Sequence, residues 1–77
     1  MRRISYVQFR GGQPVALRWN RHYYRVTRVL DAWRETGEWW TEAAELWWWR
    51  VECDDLSMFE IGQRQSDKTW WMGQAWD

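Results

Sequence analysis

The chain has 77 residues, 45% apolar and 29% charged, a length and balance that allow one small globular domain and exclude a disordered segment. Ten Trp, three Tyr and two Phe offset the small size, because each aromatic can bury roughly 150–250 Å². The formal charge is zero, yet residues 1–30 carry seven arginines and His22 with no Asp or Glu, whereas residues 31–60 carry nine acids against Arg34 and Arg50. Such a split suits a module with one anion-receiving side, unless the two halves pair as adjacent strands and offset each other across a sheet.

In chain order, Ile4 to Arg10 is β-rich with imperfect alternation, and Gly11-Gly12-Gln13-Pro14 reads as a turn. Val15 to Trp19 alternates cleanly, with Val15, Leu17 and Trp19 on one face. Asn20-Arg21 is a two-residue connection of the kind that closes a hairpin, since Asn tolerates the left-handed region. The next strand runs from His22 to Leu30 and extends toward a loop at Gly37. Tyr24 and Val26 are in phase there while Val29 is not, so a bulge near Thr27-Arg28 is expected. Thr41 to Glu45 has helix formers for a turn at most.

Leu46 to Cys53 contains three consecutive tryptophans. Trp47, Trp49, Val51 and Cys53 share the core parity, whereas Trp48, Arg50 and Glu52 share the other. Trp48 is therefore expected to be the exposed member of the run, lying against Trp71, the loop after Trp40 or a second copy of the chain, with little part in stability. Asp54 to Ser57 is a turn, Met58 to Ile61 a strand with Phe59 and Ile61 inward, and Gln63 to Asp67 a polar loop. The last strand, Thr69 to Trp76, sets Trp70, Met72 and Trp76 on one face and Trp71, Gly73 and Ala75 on the other.

The fold expected is all-β: a small, antiparallel, strongly curved sheet or barrel of five to six short strands, with at most one helical turn near 41–45, in a single domain over residues 1–77. Its expected core is Val15, Leu17, Trp19, Tyr24, Val26, Trp47, Trp49, Val51, Phe59, Ile61, Trp70 and Met72.

One His and one Cys do not make a zinc site, and nucleotide-loop and calcium-loop signatures are absent. His22 has no carboxylate or nucleophile near it in sequence and reads as a surface or packing residue; Asp54-Asp55 reads as a turn, because adjacent side chains point apart. The expectation is a non-catalytic protein without metal or cofactor. Cys53 is the only cysteine, and no signal-peptide or membrane-spanning run is visible, so a cytoplasmic protein with a small buried thiol is expected.

What remains is flat aromatic surface beside arginines, the composition of platforms on which bases stack and phosphates are paired. Trp40, Trp48 and Trp71 are the candidate aromatic contacts, and Arg18, Arg25 and Arg28, on strands joined by a hairpin, the candidate phosphate contacts. The other reading of these tryptophans is that they close the core or dock a protein segment.

The order Gly12-x-Pro14, Trp19, Tyr24-Arg25-Val26, Val29-Leu30, Trp33, Gly37-x-Trp39-Trp40, Trp49-Arg50-Val51, Trp70 and Trp76-Asp77 resembles a bacterial family catalogued as a domain of unknown function (family 6504). A similar stretch forms the C-terminal tail of the mutasome's inactive Y-family polymerase homologue. The resemblance covers nearly the whole chain, though Trp47 and Trp48 depart from the pattern. It implies an accessory role in DNA repair or translesion synthesis, with single-stranded DNA or a Y-family polymerase-like protein as partner. The alternative is a pure protein-interaction module, its partner a second copy of the chain included.

Overall fold

A computed structural model describes residues 2–36 and 45–76. They form seven antiparallel strands: β1 (Arg2–Ile4), β2 (Tyr6–Arg10), β3 (Gln13–Trp19), β4 (His22–Glu35), β5 (Leu46–Cys53), β6 (Met58–Arg64) and β7 (Trp70–Trp76). The count exceeds the five to six expected because the N-terminal segment is broken at Ser5 into two strands with different neighbours. The helical turn considered near 41–45 lies, apart from Glu45, outside the described residues, as do Trp39 and Trp40.

The strands lie in the order β1-β7-β6-β5-β4-β3-β2. The two outermost strands are thus consecutive in the chain, separated by Ser5 alone, so the sheet must curl until its edges meet. The result is a half-barrel bridged by the chain at Ser5, with short edge strands that offer little to a foreign strand. Strand β4 turns the corner: residues 22–25 pair with β3, and Val26 to Glu35 pair with β5.

Skipped partners mark four bulges, and these set which side chains face inward. Thr27 lacks a partner where Val26 and Arg28 face Cys53 and Glu52, which is the bulge that the phase of Val29 required; the Thr27 hydroxyl donates to the Glu52 carbonyl at 3.1 Å. A second bulge at Leu30, between the Val29–Val51 and Asp31–Arg50 pairs, sends Trp33 to the outer face. In β3 the register passes from Ala16 to Pro14, skipping Val15. Pro14 therefore takes the buried position expected for Val15, which is only half-buried. In β7 the skipped residue is Gly73, so Trp76 lies on the outer face, opposite to the parity expected.

The core comprises Ile4, Leu17, Trp49, Val51, Cys53, Phe59, Ile61, Trp70 and Met72, with Val7, Trp19, Tyr24, Val26, Val29 and Trp47 packed around it. Eleven of the twelve expected core residues belong to this set, Val15 being the exception. Its centre is aromatic: Trp49 packs on Trp70 at 5.4 Å between centroids, Phe9 meets both edge-on or tilted, and Tyr24 meets Phe59 at 4.9 Å. Cys53 is buried as expected; desolvation, with the nearby carboxylates of Asp55, Asp54 and Glu52, pushes its thiol up to about 12.

Both two-residue hairpins are of the primed kind. Gly11 and Gly12 have φ of 63° and 82°, and Asn20 and Arg21 have φ of 51° and 68°. No helix among the described residues is long and apolar enough to cross a membrane.

Candidate nucleic-acid interface

The sheet carries two different outer surfaces. On β4, β5, β6 and β7 the surface is built around Trp48. Parity places Trp48 outside, as expected, but the residue is only 7% exposed, which corrects the expectation of an exposed ring. Its indole lies on a glycine floor: a methyl group at Gly62 would come within 2.9 Å of the ring, and one at Gly73 within 2.6 Å. Trp33 stacks with Trp48 at 6.3 Å and 14°, and the Trp48 N–H donates to Glu35 Oε1 at 2.8 Å. Glycines on two neighbouring strands thus make a slot that a flat ring fills. Trp48 belongs to a second, outer core.

Arg50 completes this layer. It pairs with Glu60 at 2.7 Å, and its guanidinium lies 5.7 Å from the Trp33 ring and 6.0 Å from the Trp76 ring. Trp71 is on the same face, in the row Trp48, Gly62, Trp71, so β6 separates it from Trp48. Arg64 stands over the Trp71 ring at 5.3 Å, and the Trp71 N–H donates to the Thr69 hydroxyl at 2.9 Å. That hydroxyl in turn donates to Asp67, whose carboxyl Arg64 and Thr69 together hold well below the usual carboxylate range. The N–H groups of Trp48 and Trp71 are both engaged, and Glu35 and Glu60 give the surface carboxylates that phosphates would avoid.

The other outer surface belongs to β2, β3 and the first part of β4. Arg18 and Arg25 lie on it, since Ala16 faces Arg25, whereas Arg28 faces Glu52 on β5 and sits where the two surfaces meet. The register thus brings two of the three expected phosphate contacts to this surface and the third to its border. They differ in their company. Arg28 is paired with Glu52 at 2.9 Å and Arg25 with Asp54 at 3.6 Å, whereas Arg18 has no carboxylate partner among the described residues.

Arg18 instead lines a recess of about 310 Å³ with Arg2, Arg3, Arg21 and Trp19. Four elements meet there: β1, the Ser5 corner, the end of β3 and the Asn20-Arg21 turn. The Arg2 guanidinium lies 4.7 Å from the centre of the Trp19 ring, a cation–π contact that fixes the side chain without neutralising it. No acid among the described residues lines this recess. Four cations placed together raise each other's energy, and a bound anion relieves that repulsion.

Arg2, Arg3 and Arg21 were not among the residues singled out from sequence. The signal was present in the acid-free first thirty residues, but only the curl of the sheet brings β1 to the end of β3. His22 is exposed beside Tyr24, with ring centres 6.3 Å apart. No three His, Cys, Asp or Glu side chains among the described residues converge in a way that would hold a metal. No family model matches the chain, and neither a curated protein nor a solved structure matches it.

Proposed function

We propose that the protein is a non-catalytic binding module that holds single-stranded nucleic acid at the corner formed by Arg2, Arg3, Arg18 and Arg21. The observation that supports this reading is the recess itself, where four guanidinium-bearing residues converge with no carboxylate among the described residues of the lining. Guanidinium groups match phosphate oxygens in geometry as well as in charge. The resemblance drawn from the sequence adds the setting: an accessory role in DNA repair or translesion synthesis, beside a Y-family polymerase-like protein.

The test is fluorescence anisotropy of a labelled oligothymidylate at rising salt. Each phosphate contact contributes about −0.7 to the slope of log affinity against log salt on a single strand. Wild type should show a slope of about −2 to −3 for three to four contacts, and the triple change Arg3→Gln, Arg18→Gln, Arg21→Gln should flatten it. Salt-independent binding, or an unchanged slope in the triple variant, would remove the proposal.

A second reading is favoured by an apolar recess of about 360 Å³ lined by Ala32, Trp33, Arg34, Trp47, Trp48 and Trp49. It is a protein-interaction module in which this recess takes an aromatic or aliphatic anchor from a partner. Such binding would respond little to salt and would be lost on Trp33→Ala, so the same titration separates the two.

A further inference from the structure

The register places two exposed tyrosines on either side of Arg18. Tyr6 on β2 faces Arg18 on β3, and Arg18 faces Tyr23 on β4. Residues directly opposite in antiparallel strands present their side chains to the same face, so Tyr6, Arg18 and Tyr23 form one row across three strands. The outer pair stand two strand spacings apart, about 10 Å. Tyr6 is 44% exposed and Tyr23 59% exposed, unlike Tyr24, which turns inward onto Phe59. The next row on this face is Gln8, Ala16 and Arg25. Ala16 is small and buried, so it leaves the row low beside the tyrosines.

We infer that Tyr6 and Tyr23 are stacking platforms for two unpaired bases, with Arg18 between them holding the linking phosphate. The inference rests on the nucleic-acid reading of the arginine corner and deepens it, because it names what the corner alone would not select. Arginines bind any polyanion, duplex included. An exposed aromatic ring binds a base only where the base face is free, and in a duplex both faces are covered by neighbours. Charge complementarity commits the face to this occupant. No acid occurs in residues 1–30, Arg18 has no carboxylate partner among the described residues, and the recess with Arg2, Arg3 and Arg21 lies at the end of the same strand. A tyrosine row for an apolar protein segment would not need that company.

Three labelled probes of equal length decide it: oligothymidylate, an abasic strand with the same phosphates, and a duplex, each titrated with wild type and with the Tyr6→Ala and Tyr23→Ala variants. Wild type should bind the abasic strand and the duplex at least tenfold more weakly than oligothymidylate. Each alanine variant should lose about tenfold for oligothymidylate, as one stacked base contributes, and nothing for the abasic strand. Tyr6→Phe and Tyr23→Phe should bind as wild type, since the ring alone is used. Both tyrosines are exposed, so unchanged melting of the variants is expected and is measured alongside. Equal affinity for the abasic strand, or alanine variants that keep full affinity, would overturn the platform while leaving the arginine corner standing. Absence of binding to every probe at low salt would overturn both.

Discussion

Trp48 shows how far a single residue's role depends on what lies across the sheet. Strand alternation put it on the outer face correctly, because Trp47, Trp49, Val51 and Cys53 leave no other place for it. Its burial was not legible, since that depends on Gly62 and Gly73 being its neighbours on two further strands, and nothing within Leu46 to Cys53 encodes them. The consequence reverses the expectation for stability. Trp48→Ala empties the slot and leaves the Trp33 ring without its stacking partner, so it should cost about 3–5 kcal/mol, as Trp49→Ala should. Gly73→Ala forces a methyl against a ring already held by Glu35 and Trp33 and should cost about 1–3 kcal/mol. Urea denaturation followed by tryptophan fluorescence measures all three; wild-type stability in Trp48→Ala would mean that the outer layer is decoration.

At the scale of the element, the bulges decide the faces. The one at Thr27 could be read in advance because Val26 and Val29 are both strongly apolar and out of phase. Those at Val15, Leu30 and Gly73 could not: Val15 and Leu30 are tolerated on either face, and Ala75 is small enough to fit the inner position that Trp76 vacates. The Asn20-Arg21 turn carries a different message. Arg21 has φ of 68°, a left-handed conformation that costs a residue with a Cβ about 1 kcal/mol relative to glycine. A stability-driven turn would have Gly there, as Gly12 is in the preceding hairpin. Arg21→Gly should therefore stabilise the fold by about 1 kcal/mol while weakening oligonucleotide binding in low salt. Thermal melting and anisotropy on one variant check both halves; a variant that is stabilised and binds as wild type would free Arg21 of any part in the site.

For the whole molecule, the all-β class, the antiparallel pairing and most of the core were legible, because an aromatic-rich pattern of short strands has few other solutions, whereas the order of the strands was not. The candidate site was legible only in part. Arg18 and Arg25 do share a surface, with Arg28 at its border, but Arg25 and Arg28 are paired with Asp54 and Glu52, and the arginines that converge with Arg18 come from β1 and a turn that the curl brings together. The curl also seals Cys53. Its buried thiol, raised to about 12, has almost no thiolate at neutral pH, so alkylation should occur only through unfolding. At pH 8 the labelling rate should track global stability and rise at least a hundredfold in Trp48→Ala; prompt labelling of the native wild type would mean that the half-barrel opens at Ser5. That the arginine corner and not the tryptophan face meets nucleic acid is checked by titrating oligothymidylate into isotope-labelled protein and following backbone amide shifts. The amides of Arg2, Arg3, Tyr6, Arg18, Arg21 and Tyr23 should shift, with Trp33, Trp48 and Trp76 unmoved. Shifts centred on Trp33, Trp48 and Trp76, with the arginine corner silent, would contradict it.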